Sequence, residues 1–351
     1  MAEAMATPLV PEDYLDLVDP LRSGADLRGR IVDVRPETAD AVTVVIRPGR
    51  GWAGHVPGQY IRIGVDVDGV RQWRAYSLTH GGPRPGSTRV PAGCIAITVK
   101  AIPDGKVSNH LVRNTRPGTL VMLDQATGNF VLPASLPAKA LFITAGSGIT
   151  PVMGMLRHYL PGMPDVVHVH CAPSSDQVLF KEDLDFFELR PGYQLTMNLD
   201  DTDGVLDLAA RLDELVPDWA DRQAWVCGPT GLLDDAETHW ESKGLTDRLH
   251  VERFRPSIVE PGEGGEITFT ESAVLVEADG ATPILDAGED ADVLMPSGCR
   301  MGICFGCVVT LRSGAVRDLR TGEVTVIEDG DGELPIQTCV NAVAGACEIE
   351  L

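Results

Sequence analysis

Cys299, Cys304, Cys307 and Cys339 stand as C-x4-C-x2-C followed, after 31 intervening residues, by a single cysteine. The last quarter of the chain must therefore bring a tight three-cysteine loop and a distant fourth thiol to one place. This order and spacing are those of a plant-type 2Fe-2S ligand set. The loop reads Ser297-Gly298-Cys299-Arg300-Met301-Gly302-Ile303-Cys304-Phe305-Gly306-Cys307, and its small residues let backbone N–H groups turn inward toward sulfurs carrying excess negative charge. A structural zinc site also uses four thiolates. Zinc sites, however, favour paired C-x2-C knuckles over one three-cysteine loop with a distant fourth. The spacing thus predicts a chain that handles single electrons.

At 351 residues the chain is long enough for two or three domains, each with its own core. Its 44% apolar and 23% charged residues fit a globular protein. No stretch approaches the roughly 18 apolar residues of a membrane span, and Met1-Ala2-Glu3-Ala4 opens neither a basic nor an apolar leader. The remaining cysteines, Cys94, Cys171, Cys227 and Cys347, are scattered, which suits a reducing compartment, and the expected location is cytoplasmic. A net charge of −22 argues against nucleic acid and direct membrane insertion. Residues 266–351 hold 16 Asp and Glu against four Arg and no Lys, so this end carries −12 of that charge. It serves either solvation or an acidic docking face for a basic redox partner.

Residues 1–27 read as an N-terminal extension, with Tyr14, Leu15, Leu17 and Val18 at helical spacing. From 28 to 136, short apolar segments at 31–34, 41–46, 60–65 and 94–99 with Gly/Pro punctuation predict an antiparallel β-barrel. The texture then changes. The continuous apolar run at 141–145 leads into a glycine turn and a helix over 152–160; strands follow at 166–170 and 224–227, with helices over 182–188 and 232–242. This alternation over 137–255 predicts a doubly wound α/β domain. Residues 256–265 read as a linker, and 266–351 as a hairpin (266–270, 273–278), a helix (284–294) and the cysteine loop.

Arg74-Ala75-Tyr76-Ser77, preceded by Pro57-Gly58-Gln59-Tyr60, resembles the R-x-Y-S signature of the ferredoxin-NADP reductase superfamily. Alternate residues of a strand share a face, so a cation and an aromatic there can line one groove. Arg74 on an exposed face and Tyr76 in the core is the competing reading. The resemblance implies that Arg74 binds flavin phosphate, Tyr76 lies against the isoalloxazine and Ser77 hydrogen-bonds near the redox nitrogen. Gly105-Lys106-Val107-Ser108-Asn109-His110-Leu111 resembles the family's G-x-x-S-x-x-L segment, making Ser108 a pyrophosphate candidate at a helix N-terminus. The overall pattern is similar to FAD-containing rather than FMN-containing members.

Thr144-Ala145-Gly146-Ser147-Gly148-Ile149-Thr150-Pro151 follows a buried strand and opens a helix, where glycine permits close approach of a diphosphate. It is not the G-x-G-x-x-G fingerprint, so Gly146, Gly148 and Thr150 become NAD(P)H-binding candidates through position and resemblance. Cys227-Gly228-Pro229 resembles the family's C-G-P motif, which implies a thin backbone beneath the nicotinamide and places Cys227 near the hydride path; an inert buried thiol is the alternative. Glu252 and Phe254 resemble the acid and aromatic with which several relatives end this domain. Between the coenzymes the informative stretch is Ala172 to Gln177: Ser174 and Ser175 can donate to a 2′-phosphate, whereas Asp176 suits a ribose hydroxyl. No Arg lies between Cys171 and Lys181, and the choice of NADH or NADPH stays open. His168 and His170, at i and i+2, lack a third ligand at matching spacing and are not read as a metal site.

The resemblance runs from about Arg28 to Leu351, in the order flavin barrel, nucleotide domain, β-grasp ferredoxin domain. That order is similar to the three-domain reductases of bacterial oxygenases. In Gly228-Pro229 through Leu233 and Val251-Glu252-Arg253-Phe254-Arg255-Pro256 it resembles actinobacterial electron-transfer partners of fatty acyl-CoA desaturases. It implies an NAD(P)H-dependent oxidoreductase with Ser77, Cys227 and Glu252 nearest the chemistry and the four cysteines as metal ligands. Electrons would pass from NAD(P)H through FAD and a 2Fe-2S cluster to a monooxygenase or a membrane-bound desaturase, at which the chain would dock. A Rieske-type ring-hydroxylating or steroid oxygenase and a stand-alone diaphorase are the alternatives.

Overall fold

A computed structural model describes residues 19–22, 26–67, 69–80, 90–103, 105–254, 262–298, 300, 302, 305–328 and 333–351. Most of the expected N-terminal extension at 1–27 and most of the linker at 256–265 lie outside these. Two compact units divide the chain, one of Met1–Gln72 and Tyr76–Glu252, the other of Trp73–Ala75 and Arg253–Leu351.

The first unit begins with six strands: β1 (Arg28–Thr38), β2 (Ala41–Pro48), β3 (Tyr60–Val67), β4 (Val70–Ser77), β5 (Ile95–Lys100) and β6 (Leu120–Leu123). They run in the order β4-β3-β6-β1-β2-β5. The two ends of this row meet just beyond β4. Leu78 bridges Ile97, and Thr79 N donates to Ala96 O at 2.9 Å, so the sheet closes into the expected barrel and loses its edges. Strand β2 is apolar on both faces because both are covered. Val42, Val44 and Ile46 join the barrel interior, while Val45 packs with Val90, Cys94 and Ala96. Helix α1 (Lys106–Arg113) seats Val107 and Leu111 in the same interior.

Five parallel strands follow: β7 (Lys139–Ala145), β8 (Asp165–Ala172), β9 (Tyr193–Leu199), β10 (Gln223–Cys227) and β11 (Leu249–Glu252), in the order β11-β10-β7-β8-β9. Helices α2 (Ile149–Tyr159), α3 (Lys181–Glu188), α4 (Asp200–Asp203), α5 (Leu208–Leu215) and α6 (Thr230–Ser242) connect them. The chain moves outward from β7 to β9 and then returns to the other side of β7 with β10. Such a reversal opens a crevice at the carboxyl ends of β7 and β10, where ligands bind in sheets of this kind. Strand β9 was not legible beforehand: at the sheet edge, Tyr193-Gln194-Leu195-Thr196-Met197-Asn198-Leu199 carries polar residues that blur the apolar run.

The second unit folds around β12 (Gly262–Phe269), β13 (Val274–Gly280), helix α7 (Ile284–Asp290), β14 (Val308–Asp318), β15 (Val324–Ile327), β16 (Leu334–Gln337) and β17 (Asn341–Glu350). The sheet order is β13-β12-β17-β14-β15, with β16 also on β14 and β12 parallel to β17. Ile284, Leu285 and Ala287 of α7 pack with Phe269, Val316 and Val343 into one core, the β-grasp arrangement. Two expectations need correction. The helix expected over 284–294 ends at Asp290, where Asp292 takes a left-handed φ of 59° and reverses the chain. The hairpin expected from 266 starts at Gly262, inside the stretch assigned to the linker. Among the described residues no helix is long and apolar enough to cross a membrane.

One buried cation ties the amino edge of the parallel sheet. The Arg222 side chain, 6% exposed, bonds Asp165 Oδ1 (2.8 Å) and Oδ2 (3.2 Å), Asp218 Oδ1 (2.7 Å) and Oδ2 (3.0 Å), and Ala140 O (3.3 Å). Its hydrogen bonds and those of Lys139 hold Asp218 down to about 2. A carboxylate with a depressed folded-state value lends stability above its unfolded value near 3.8, lost as pH falls toward 2. Arg222→Met is expected to cost about 3 kcal/mol in urea unfolding at pH 7, because Asp165 loses the guanidinium and Asp218 keeps only Lys139. The deficit should shrink between pH 4 and 2 as Asp218 protonates.

Candidate functional site

At the crevice, the turn after β7 meets the end of β10 with no room between them. Gly146 has φ +52°, a conformation that favours glycine. A Cβ on Gly148 would lie 2.2 Å from Cys227 O and 2.7 Å from Gly228 N, so the turn rests directly on the Cys227–Gly228 peptide. A Cβ on Gly228 would in turn meet Ala145 Cβ at 3.1 Å. Thr150 Oγ1 donates to Ser147 O at 2.9 Å and locks the first turn of α2. Glycines set in both motifs thus hold two loops and a helix N-terminus in one compact wall. The structure brings Gly146, Gly148, Thr150, Cys227, Gly228 and Pro229 together.

Cys227 is fully buried and opposite Glu252 in the parallel register of β10 and β11. Burial, then the Glu252 carboxylate, push its thiol well above the ordinary range. The thiol therefore stays protonated and contributes shape rather than nucleophilicity. Burial also raises the Glu252 carboxyl to about 7. A carboxyl poised there can hold or release a proton at physiological pH. Phe254 lies two residues past Glu252, half-buried.

On the barrel side, Arg74 and Tyr76 alternate along β4 and are half-buried, whereas Ser77 is buried where the strand ends. The Gly58–Tyr60 segment braces this end: Leu78 N donates to Gln59 O (2.9 Å), Tyr60 N donates to Thr127 O (2.9 Å), and Gly58, at φ +103°, would place a Cβ 2.1 Å from Phe130 O. Helix α2 reaches the same place, since a Cβ on Gly154 would stand 2.4 Å from Leu78 O. The helix that opens the nucleotide turn therefore lies on the backbone just beyond Ser77. Close approaches at Gly58 and Gly154 were not read from the sequence, because contacts across 72 and 76 residues leave no local signal. Ser108 Oγ accepts from Ile102 N and donates to Gly105 O, both at 3.3 Å. Its hydroxyl is spent on the turn, leaving backbone N–H groups of an N-terminus without a side-chain cap to face an anion.

Beyond β8, Ser174 Oγ donates to Asp176 Oδ1 at 2.5 Å and Ser175 is exposed. Lys100, at the end of β5, donates to Gln177 Oε1 at 3.1 Å, bringing a barrel cation to a segment without arginine of its own. His168 and His170 lie inside the sheet's packing layer. Thr144 Oγ1 is 2.8 Å from His168 Nε2 and 2.7 Å from His170 Nδ1, and Tyr193 OH is 2.8 Å from His168 Nδ1. Burial holds both imidazoles neutral, His170 near 4 and His168 well below its ordinary value.

In the second unit, Cys307 and Cys339 are buried with their sulfurs 3.2 Å apart. That separation exceeds the roughly 2.05 Å of a disulfide and suits two ligands of one metal. Thr338 fastens the pair, donating from N (3.2 Å) and Oγ1 (3.0 Å) to Cys307 O. Cys299 and Cys304 lie outside the described residues. The loop between is curled by left-handed backbone at Arg300 (φ 60°), Gly302 (φ 74°) and Phe305 (φ 55°). Ion pairs from the Arg300 guanidinium to Asp286 and Glu289 of α7 offset the cost of that conformation. Soft paired thiols in such a loop fit an iron–sulfur centre, as close glycine turns at a switch point fit a dinucleotide.

Fold and site together define a flavin- and pyridine-nucleotide-dependent reductase with an iron–sulfur domain. Family models match in that order: an oxidoreductase FAD-binding domain over 50–132, an oxidoreductase NAD-binding domain over 142–238 and a 2Fe-2S iron-sulfur cluster binding domain over 267–344. An "NADPH oxidoreductase" of Mycobacterium tuberculosis is 49% identical over 356 residues, covering 100% of this chain and 91% of the relative. The "3-ketosteroid-9-alpha-monooxygenase, ferredoxin reductase component" of Mycolicibacterium smegmatis is 30% identical over 314 residues, covering 82% and 86%. Phthalate dioxygenase reductase shares the fold, with TM-score 0.60 at 20% identity over 93% of this chain and 98% of that one. The chain belongs to the three-domain FAD and 2Fe-2S oxidoreductases of the ferredoxin reductase type.

Two outcomes follow from this geometry. Gly148→Ala must displace the Cys227–Gly228 peptide, and is expected to lower kcat/KM for NAD(P)H about 10- to 100-fold while flavin content stays unchanged. Glu252 binds its proton in the folded state between pH 4.5 and about 7, so its contribution to stability falls as pH rises through that window and levels off above it. Glu252→Gln should therefore melt higher than the parent at pH 8, by up to about 3 kcal/mol in unfolding free energy, and match it near pH 4.5.

Proposed function

We propose that this chain oxidises NADPH and delivers the electrons one at a time to a terminal oxygenase or a membrane-bound fatty acyl-CoA desaturase. The observation that carries the reading is the contact of the Gly146–Gly148 turn with the Cys227–Gly228 peptide, on a helix that also lies against the end of the flavin strand. When bound, FAD supplies hydride acceptance from the coenzyme, and a 2Fe-2S cluster supplies one-electron storage. The chain's own residues do the placing. Gly146, Gly148 and the N-terminus of α2 hold the coenzyme diphosphate; Cys227 to Pro229 keep the wall beneath the nicotinamide thin. Arg74 and the N-terminus of α1 hold the flavin's phosphates, Tyr76 packs along its ring, and Ser77 supplies a hydroxyl at the strand end. Glu252, near 7, holds the proton that leaves or arrives as the flavin changes charge. Cys299, Cys304, Cys307 and Cys339 hold the cluster.

NADPH is preferred to NADH because the 49% identical relative carries that coenzyme in its name, and because Ser175 and Lys100 can donate to a 2′-phosphate. An oxygenase acceptor is supported by relatives named as monooxygenase and demethylase reductase subunits. A desaturase acceptor is supported by the resemblance at 228–233 and 251–256. Cys339→Ser is expected to abolish cluster absorbance and cytochrome c reduction while NADPH–ferricyanide activity through the flavin persists. Loss of both activities in a folded variant would refute the relay order. Reconstituted turnover with a purified oxygenase and with a desaturase in vesicles distinguishes the acceptors.

A further inference from the structure

The cluster loop is clamped from outside by a side chain that no motif contains. Arg320 lies in the turn between β14 and β15, and its Nη1 donates to Gly302 O at 3.2 Å, inside the loop that separates Cys299 from Cys304. Gln337 Nε2 donates to the same carbonyl at 3.0 Å. A Cβ on Gly302 would meet Arg320 Nη1 at 2.6 Å and Val340 Cγ1 at 2.8 Å, and Leu319 N donates to Val340 O at 2.8 Å. Gly302 thus lies between the guanidinium and the Val340 side chain, and the turn that carries Arg320 is tied to the Cys339–Val340 segment through Leu319 N. Asp318 fixes its direction, accepting from Arg320 Nε at 3.1 Å and Nη2 at 2.6 Å.

We propose that Arg320 is a positioning residue that sets the reduction potential of the 2Fe-2S site, its cation facing the cluster loop and its counter-charge, Asp318, held behind it. Reduction adds one electron, and so one unit of negative charge, among the four thiolates and two irons, with no proton taken up. A fixed positive charge beside that volume favours the reduced state. The pair acts as an oriented dipole rather than a bare charge. The guanidinium is held in a two-point ion pair with the Asp318 carboxylate. The function this gives is directional: a raised cluster potential draws electrons from the flavin and keeps them at the exit end of the chain. The inference rests on the reading that the four cysteines hold the cluster.

The test is an EPR-monitored redox titration of purified holoprotein, with iron and sulfide measured on the same samples. Arg320→Gln leaves Asp318 uncompensated and should shift the one-electron equilibrium about tenfold toward the oxidised cluster, a fall of about 59 mV. Arg320→Lys should restore most of the shift, because charge rather than shape is required. Asp318→Asn should move the potential the opposite way. An unchanged potential in Arg320→Gln at full iron content would overturn the proposal, as would a fall in Asp318→Asn. If Arg320→Gln loses its iron, Asp318→Asn decides: a rise supports the proposal and an unchanged value overturns it. Parent protein without iron and sulfide would instead refute the cluster reading itself.

Discussion

Two buried sulfurs 3.2 Å apart can be neutral thiols in contact or thiolates around a cation, and they cannot be two bare anions. Much of the second unit is organised around that constraint. Thr338 ties the carbonyl of Cys307 to the strand that delivers Cys339, Arg300 anchors the loop to α7, and Arg320 with Gln337 grips Gly302. The Thr338, Arg320 and Gln337 contacts satisfy backbone carbonyls, and Arg300 ties the loop through side-chain ion pairs to Asp286 and Glu289. Left-handed backbone at the non-glycine residues Arg300 and Phe305 is costly alone, and these contacts offset that cost.

The first unit solves a different problem by the same economy of space. A hydride moves only between atoms in near contact, so the walls around it must be thin and rigid. Thinness comes from Gly148 on the Cys227 peptide, Gly154 on Leu78 and Gly58 on Phe130. Rigidity comes from the barrel closed through Leu78 and Thr79, and from a parallel sheet pinned at its far edge by Arg222. Glu252 is half-buried opposite Cys227, and that burial holds its carboxyl near 7, so a titratable group stands at the end of the strand beside Cys227.

Local patterning showed the barrel and then the α/β domain, because alternating and continuous apolar runs report which faces are covered; the ferredoxin domain was read from the cysteine spacing and the family resemblance. It showed the four cysteines as a set because their spacing is local for three of them. It did not show β9, whose polar residues sit at a sheet edge, nor the end of α7 at Asp290, which depends on the left-handed Asp292. Contacts between distant segments were equally silent. Lys100 beside Gln177, Arg320 on Gly302 and Gly154 on Leu78 join residues 77, 18 and 76 positions apart. Ser108 illustrates the limit of a motif: its position fits an anion site, yet its hydroxyl serves the turn.

The central claim is that electrons entering as a pair leave singly through the cysteine loop. Anaerobic addition of one equivalent of NADPH to the purified holoprotein, followed by absorbance and low-temperature EPR on the same sample, addresses it directly. The account predicts bleaching of the flavin band together with a paramagnetic signal from the reduced cluster, approaching one spin per chain. Flavin bleaching with an EPR-silent sample of full iron content would contradict it.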